Sequence, residues 1–331
     1  MQYRVWLVET PGEKFTESEA PIIRSLQPNE VLVRIAASGV NPLDTKIRAG
    51  KATHAKQPLP AVLGLDMAGT VEEVGSGVTA FRVGEEVYGL VGGVGGRQGT
   101  LAEFVLAEAG LLARKPGNLS FREAAALPLS TITAWEGLVD RAQVHATQKV
   151  LIHAGAGGVG HVAVQIARAF EAEVFATVSP SKKDIVEGFG ATPVDYHSST
   201  VDEYVRLFTD GLGFDIVYDT VGGSTIDASF EAVRRYTGHV VSCLGWSTHS
   251  LAPLSFRGAT YSGVFTLLPL LTGEGQEHHG EILASATSIA EEGKLKPLLN
   301  ANHFSTSDID AAYAAVGSGS LGKVVIDIRH S

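Results

Sequence analysis

One cysteine, Cys243, in 331 residues leaves the chain without a disulfide framework and without a cysteine-built zinc site. Cations are in short supply as well. Lys and Arg number 26 against 36 Asp and Glu, a formal charge of −10, which argues against nucleic acid or an anionic membrane surface as partner. Long apolar runs are missing, and no stretch approaches the length of a membrane span. The opening MQYRVWLVETPG carries a charge inside its apolar run and turns at Pro11-Gly12, unlike a secretory signal. The expectation is a soluble, cytoplasmic protein. Glycine is plentiful at 38, and 44% hydrophobic residues over this length suffice for two cores.

The first 120 or so residues read as β-rich: Val31–Ala36 alternates, Gly69–Val74 closes at Gly75 and Gly77, and strands are expected at 86–90 and 100–106. Short strands about 10 to 15 residues apart with glycine turns predict a small barrel or sandwich. From Phe121 the character changes. Ser120 is placed to cap a short helix, and a longer one is expected around Thr131–Asp140. Strands and helices then alternate, with strands expected at 149–154, 173–178, 192–195, 214–219, 239–244 and 261–267, the pattern of a doubly wound parallel sheet. Helices near 280–292 and from 307, then a strand over 323–328, close the chain. The expected fold is α/β, with residues 125–267 forming a Rossmann domain inserted in a β-rich domain of residues 1–124 and 268–331.

Four glycines in six positions, GAGGVG at 155–160, stand between the apolar run KVLIHA (149–154) and a segment with Val159, Val162, Ala163, Ile166 and Ala167 at helical spacing. A G-x-G-x-x-G motif means little alone. In a strand-to-helix turn it lets the backbone approach a pyrophosphate at a helix N-terminus, and it predicts a dinucleotide site. The next strand, 173–178, has no carboxylate at its C-terminal end for ribose hydroxyls, and runs instead into Ser179-Pro-Ser-Lys-Lys183. A hydroxyl and two cations there suit a 2′-phosphate, so NADPH is the expected cofactor, although Lys182 and Lys183 would also serve as a solvated helix start.

The motifs ASGVNPLDTKIRAG (37–50), PAVLGLDMAGTVEEVGSGV (60–78), AALPLSTITAWEGL (125–138), VLIHAGAGGVGHVAVQIA (150–167) and GKVVIDI (322–328) together resemble the medium-chain dehydrogenase/reductase superfamily, and within it the zinc-independent quinone oxidoreductase branch. The resemblance implies a GroES-like catalytic domain, a Rossmann domain inserted in it, NADPH in the cleft and a homodimer paired along strand 261–267. Zinc-dependent relatives carry a cysteine in the stretch equivalent to Ser38–Asn41 and a histidine where this chain has Leu65, so zinc catalysis is not expected. His278-His279, the only adjacent histidine pair, is expected to be a solvated helix start.

Without a metal, hydride can pass from a nicotinamide to a carbon that conjugation has already made electron-poor, in a quinone or an α,β-unsaturated carbonyl. Asn41 resembles the asparagine that lies near the nicotinamide and can donate to a developing oxyanion, although Asn-Pro is also turn chemistry. Asp44 is expected to be structural, pairing with Lys46 or Arg48. By resemblance, Gly157, Gly158, Val159 and Gly160 meet the pyrophosphate, and Ser179, Lys182 and Tyr196 surround the 2′-phosphate. Thr131, Leu244, Gly245, Phe265, Leu267, Gly322 and Lys323 border the nicotinamide end. Thr131 is equally a helix cap, and Phe265 and Leu267 are equally core or dimer contacts. Tyr88, Trp135, Trp246, Phe256 and Phe265 are candidates for an aromatic substrate pocket, although core packing is the readier fate of any one of them. The alternatives are an enoyl reductase acting on thioesters or enals, for which only the scattered Arg97, Arg114, Lys115 and Arg122 could meet coenzyme A phosphates, and a non-catalytic NADPH-binding protein.

Overall fold

The computed structural model describes residues 2–21 and 25–329, in two compact units. One unit comprises Met1–Leu129 and Leu267–Ser331, and the other is Ser130–Thr266.

In the second unit six strands form one parallel sheet in the order Thr192–Asp195, Glu173–Val178, Lys149–Ile152, Ile216–Asp219, His239–Ser242, Thr260–Gly263. Strand order reverses at Lys149–Ile152. The chain leaves it toward Glu173–Val178 on one side and later returns to Ile216–Asp219 on the other, which opens a crevice at the carboxyl ends of these strands. Val150, Leu151, Ile152, Val217 and Tyr218 are all fully buried, as expected of strands covered by helices on both faces. Several strands are shorter than the apolar runs suggest. Pairing of 261–267 stops at Gly263, and Thr266 turns its hydroxyl to Thr133 at 2.9 Å and to Glu136.

The first unit carries a mixed, mostly antiparallel sheet running Phe304–Ser305, Val324–Asp327, Glu30–Val40, Asp66–Val74, Glu86–Leu90, Leu112–Arg114, with Phe104–Glu108 also paired to Glu30–Val40. A smaller sheet joins Gln2–Val8 to Thr16–Pro21 and Ala61–Val62. Two registers bring polar residues from distant parts of the chain to one end of the larger sheet: Val324 lies opposite Val40, and Asp66 opposite Gly39. The sequence predicts domain junctions after residues 124 and 267, whereas the units divide after Leu129 and Thr266. The stretch 125–129 is tied to the β-rich unit by close backbone packing. A side chain at Gly39 would overlap the carbonyl oxygen of Ala125, and the Leu129 N–H donates to Asp66 Oδ1 at 2.9 Å.

Candidate active site

The glycine-rich turn sits where the sequence places it, between Lys149–Ile152 and the helix Gly160–Ala169. Its glycines are needed for close approach rather than for positive φ. The residue at φ 53° is Ala154. A Cβ on Gly155 would lie 2.5 Å from the Ala176 Cβ of the neighbouring strand, and one on Gly160 would overlap the Ala154 carbonyl. With Gly157 half-buried and Gly158 exposed, the turn keeps its backbone open at the N-terminal end of the helix.

Parallel pairing of Val178 with Asp195 brings the next residue of each strand, Ser179 and Tyr196, to adjacent strand ends. The Tyr196 ring is more than half exposed and lies 4.1 Å, centroid to centroid, from His197. Lys183 pairs with Glu187 one turn along its own helix at 3.4 Å. Lys182 has no carboxylate at ion-pair distance among the described residues, so of the two lysines it is the one with its charge uncommitted. Asp195 could have supplied a ribose ligand from the neighbouring strand, but its carboxylate accepts the His197 N–H at 3.0 Å and the Ser198 hydroxyl at 2.7 Å.

Two further features suit a dinucleotide. Thr131 is fully buried and its hydroxyl has no partner, an expensive state for a polar group that a bound ligand would relieve. At the end of His239–Ser242, the Ser242 hydroxyl donates to Asp219 at 2.7 Å and accepts the Leu244 N–H at 3.1 Å, which fixes Leu244 and Gly245. Phe265 is about a third exposed; Leu267 is buried.

The first unit holds a buried polar cluster. Asn41 precedes the helix Pro42–Arg48, and its N–H donates to Asp44 Oδ2 at 2.7 Å, so the turn role of this residue is real. Its side chain is engaged at both ends: Nδ2 donates to Asp66 Oδ2 at 2.9 Å, and Oδ1 accepts from the Lys323 ammonium. The strand registers explain the meeting. Lys323 precedes Val324, Asn41 follows Val40, and Asp66 opens its strand opposite Gly39. Gly322, at φ 81°, starts the approach, and a Cβ there would lie 2.5 Å from the Leu299 carbonyl.

Asp44 does not pair with Lys46 or Arg48. Arg48 turns to Asp310 and lies over the Phe15 ring, while Asp44 is buried with Oδ1 unpartnered. Burial pushes the Asp44 carboxyl up to about 8, against the pull of the Asn41 N–H and with Asp66 adding to the rise. Burial also raises Asp66, to about 6, opposed chiefly by Lys323. Lys323 is lowered by burial, with both carboxylates opposing. At neutral pH a proton on Asp44 therefore leaves the pair of acids with one carboxylate, that of Asp66. Because both Asp values are raised, the stability they confer is complete below about pH 4 and is lost as pH rises through 6 and then 8. Asp44→Asn keeps an acceptor for the Asn41 N–H and removes the ionisation. Relative to the unsubstituted protein, its stability is expected to gain steadily between pH 4 and pH 8, by at most about 1.4 kcal/mol per pH unit, as read from denaturation midpoints. A constant difference across that range would show that Asp44 does not titrate there.

Residues 27–117 match the family described as the alcohol dehydrogenase GroES-like domain, and residues 158–272 the family described as zinc-binding dehydrogenase. The chain is 32% identical to the NADPH-dependent alkenal/one oxidoreductase, chloroplastic, of Arabidopsis thaliana, over 92% of this chain and 74% of that protein. An alcohol dehydrogenase superfamily protein from Novosphingobium aromaticivorans is 54% identical, with a TM-score of 0.96 over 99% of this chain and 100% of that one. The quinone oxidoreductase from Coxiella burnetii is 27% identical, with a TM-score of 0.82 over 99% and 100% of the two chains. The chain belongs to the quinone oxidoreductase branch of the medium-chain dehydrogenase/reductase superfamily.

As a medium-chain oxidoreductase it works with a nicotinamide dinucleotide on a small molecule. Although one matched family is described as zinc-binding, no group of three or more His, Cys, Asp or Glu among the described residues is disposed to hold a metal ion. Leu65 and Asn41 are both buried.

One other expectation is corrected. His278 is exposed beside Glu281 at 3.2 Å, but His279 is fully buried, because the helix Gln276–Glu291 begins before the pair and turns the second ring inward. Tyr88 is buried in the β-rich unit, donating to the Leu283 carbonyl at 2.7 Å; Trp135 packs on Phe170; Phe256 is almost fully exposed. The four scattered cations are all committed to carboxylates: Arg97 to Glu108, Arg114 to Glu85, Lys115 to Glu86 and Arg122 to Asp327. Among the described residues no helix is long and apolar enough to cross a membrane. Asp66 and Asp44 are the polar residues that sequence reasoning undervalued. The available signal is an acid in the first turn of the helix after one apolar strand, Asp44, and an acid opening another strand, Asp66.

Proposed function

We propose that the protein is an NADPH-dependent reductase that transfers hydride, without a metal, to a conjugated acceptor: a quinone or an α,β-unsaturated ketone or aldehyde. The observation that carries the reading is the Asn41–Asp66–Lys323 cluster, which offers a fixed amide donor where a Lewis acid would need ligands. An unactivated alcohol or ketone needs strong polarisation, whereas a conjugated carbonyl needs orientation, a dry site and a hydrogen bond to the oxygen that gains charge.

NADPH, when bound, supplies the hydride. The backbone at Gly157, Gly158, Val159 and Gly160 receives the pyrophosphate, and Ser179, Lys182 and the open face of Tyr196 receive the 2′-phosphate and adenine. The buried Thr131 hydroxyl finds its missing partner on the cofactor. Leu244, Gly245, Phe265, Leu267 and Gly322 border the nicotinamide end, and Asn41 donates to the developing oxyanion. Preference for NADPH is supported by the lack of a free carboxylate at the ends of both Glu173–Val178 and Thr192–Asp195, and by the name of the Arabidopsis relative. A homodimer in the cytoplasm is the expected state. Thr260–Gly263 ends the parallel sheet with no partner on its outer side among the described residues, an edge that a second copy would cover.

The test is NADPH oxidation with 9,10-phenanthrenequinone and with an alkyl enone, each with and without a chelator. The expected result is turnover of at least one acceptor that the chelator leaves unchanged. Tight NADPH binding with no turnover of either would contradict the proposal.

A further inference from the structure

An asparagine amide among waters can turn over, exchanging its donor and acceptor ends at little cost. At Asn41 that exchange is closed off. The Lys323 ammonium has only donors and reaches Oδ1; the Asp66 carboxylate has only acceptors and takes one Nδ2 hydrogen at 2.9 Å. A flipped amide would set N–H against ammonium and carbonyl against carboxylate.

Both partners are themselves fixed. Asp66 Oδ1 accepts the Leu129 N–H at 2.9 Å. The Lys323 backbone donates to the Leu298 carbonyl at 2.7 Å and accepts the Asn300 N–H at 2.9 Å. The second Nδ2 hydrogen of Asn41 has no acceptor among the described residues.

We infer that Asp66 and Lys323 are positioning residues for the reduction, clamping the Asn41 amide from opposite ends so that its remaining N–H is held ready for the oxyanion. This rests on Asn41 being the oxyanion donor. It gives Lys323 a different task from the cofactor contact that family resemblance implies: the ammonium acts through Asn41.

A double-mutant cycle on kcat at saturating NADPH tests this, using Lys323→Met, Asn41→Ala and the pair together. If the lysine works through the amide, Lys323→Met lowers kcat about tenfold and leaves KM for NADPH within about twofold, and the double variant is no slower than Asn41→Ala alone. Lys323→Arg, which keeps a charged donor, recovers most of the loss. Asp66→Asn combined with Lys323→Met removes both charges at once, so a folded protein with the same fall in kcat separates the clamp from simple destabilisation. Multiplicative losses in the double variant overturn the clamp. So does a Lys323→Met effect confined to KM for NADPH, which would place the ammonium on the cofactor. Undiminished kcat in Asn41→Ala would instead overturn the role of Asn41 itself, whereas a slow Asn41→Ala beside a fully active Lys323→Met would remove the clamp alone.

Discussion

Asn41→Ala is expected to lower kcat for a conjugated acceptor by on the order of 10²- to 10³-fold, the cost of removing one preorganised oxyanion donor. KM for NADPH should change far less, because the proposed role of the amide is toward charge that develops in the transition state. A stability loss accompanies it. Asp66 and Lys323 are both buried and both lose the same partner, which costs about 1–3 kcal/mol by the usual penalty for an unsatisfied buried polar group. Melting temperature and steady-state kinetics on one preparation distinguish the two effects, and a variant that is less stable yet equally fast would show that Asn41 only caps its helix.

Lys182→Ala is expected to lower kcat/KM for NADPH by about 10- to 100-fold and to leave NADH nearly unchanged. A charge-assisted hydrogen bond to phosphate contributes about 1.5–3 kcal/mol, and NADH has no phosphate to lose it. Because the site is open to water, the difference should shrink as salt is raised. Lys183→Ala is the internal control, since Lys183 is engaged with Glu187. Equal effects of both alanines, or equal losses for the two cofactors, would mean that the strand end does not read the phosphate.

The doubly wound sheet was legible because its strands are apolar runs buried on both faces, separated by glycine turns and amphipathic helices. Strand ends were less so. Apolar residues continue past Ser242 and Gly263, but side-chain bonds from Ser242 and Thr266 draw the chain out of the sheet there. The motif 155–160 makes the strand-to-helix turn legible, but not that Ala154 takes the positive φ and leaves the glycines for packing. The polar cluster was the hardest part to read. Asn41 and Lys323 lie 282 residues apart, and only the pairing of Val40 with Val324 brings them together. On the sequence Asp44 has Arg48 four residues on, at the helical spacing that favours an ion pair. Burial beside Asn41 decided otherwise, and Arg48 found Asp310 instead.

The most direct measurement is the fate of the hydride. An alkyl enone turned over with NADPH carrying deuterium at nicotinamide C4, in the presence of a chelator, should yield the saturated ketone labelled once at the β-carbon, with the α-hydrogen drawn from solvent. Deuterium at the carbonyl carbon of an allylic alcohol, or turnover that stops when the chelator is added, would contradict metal-free reduction of a conjugated acceptor.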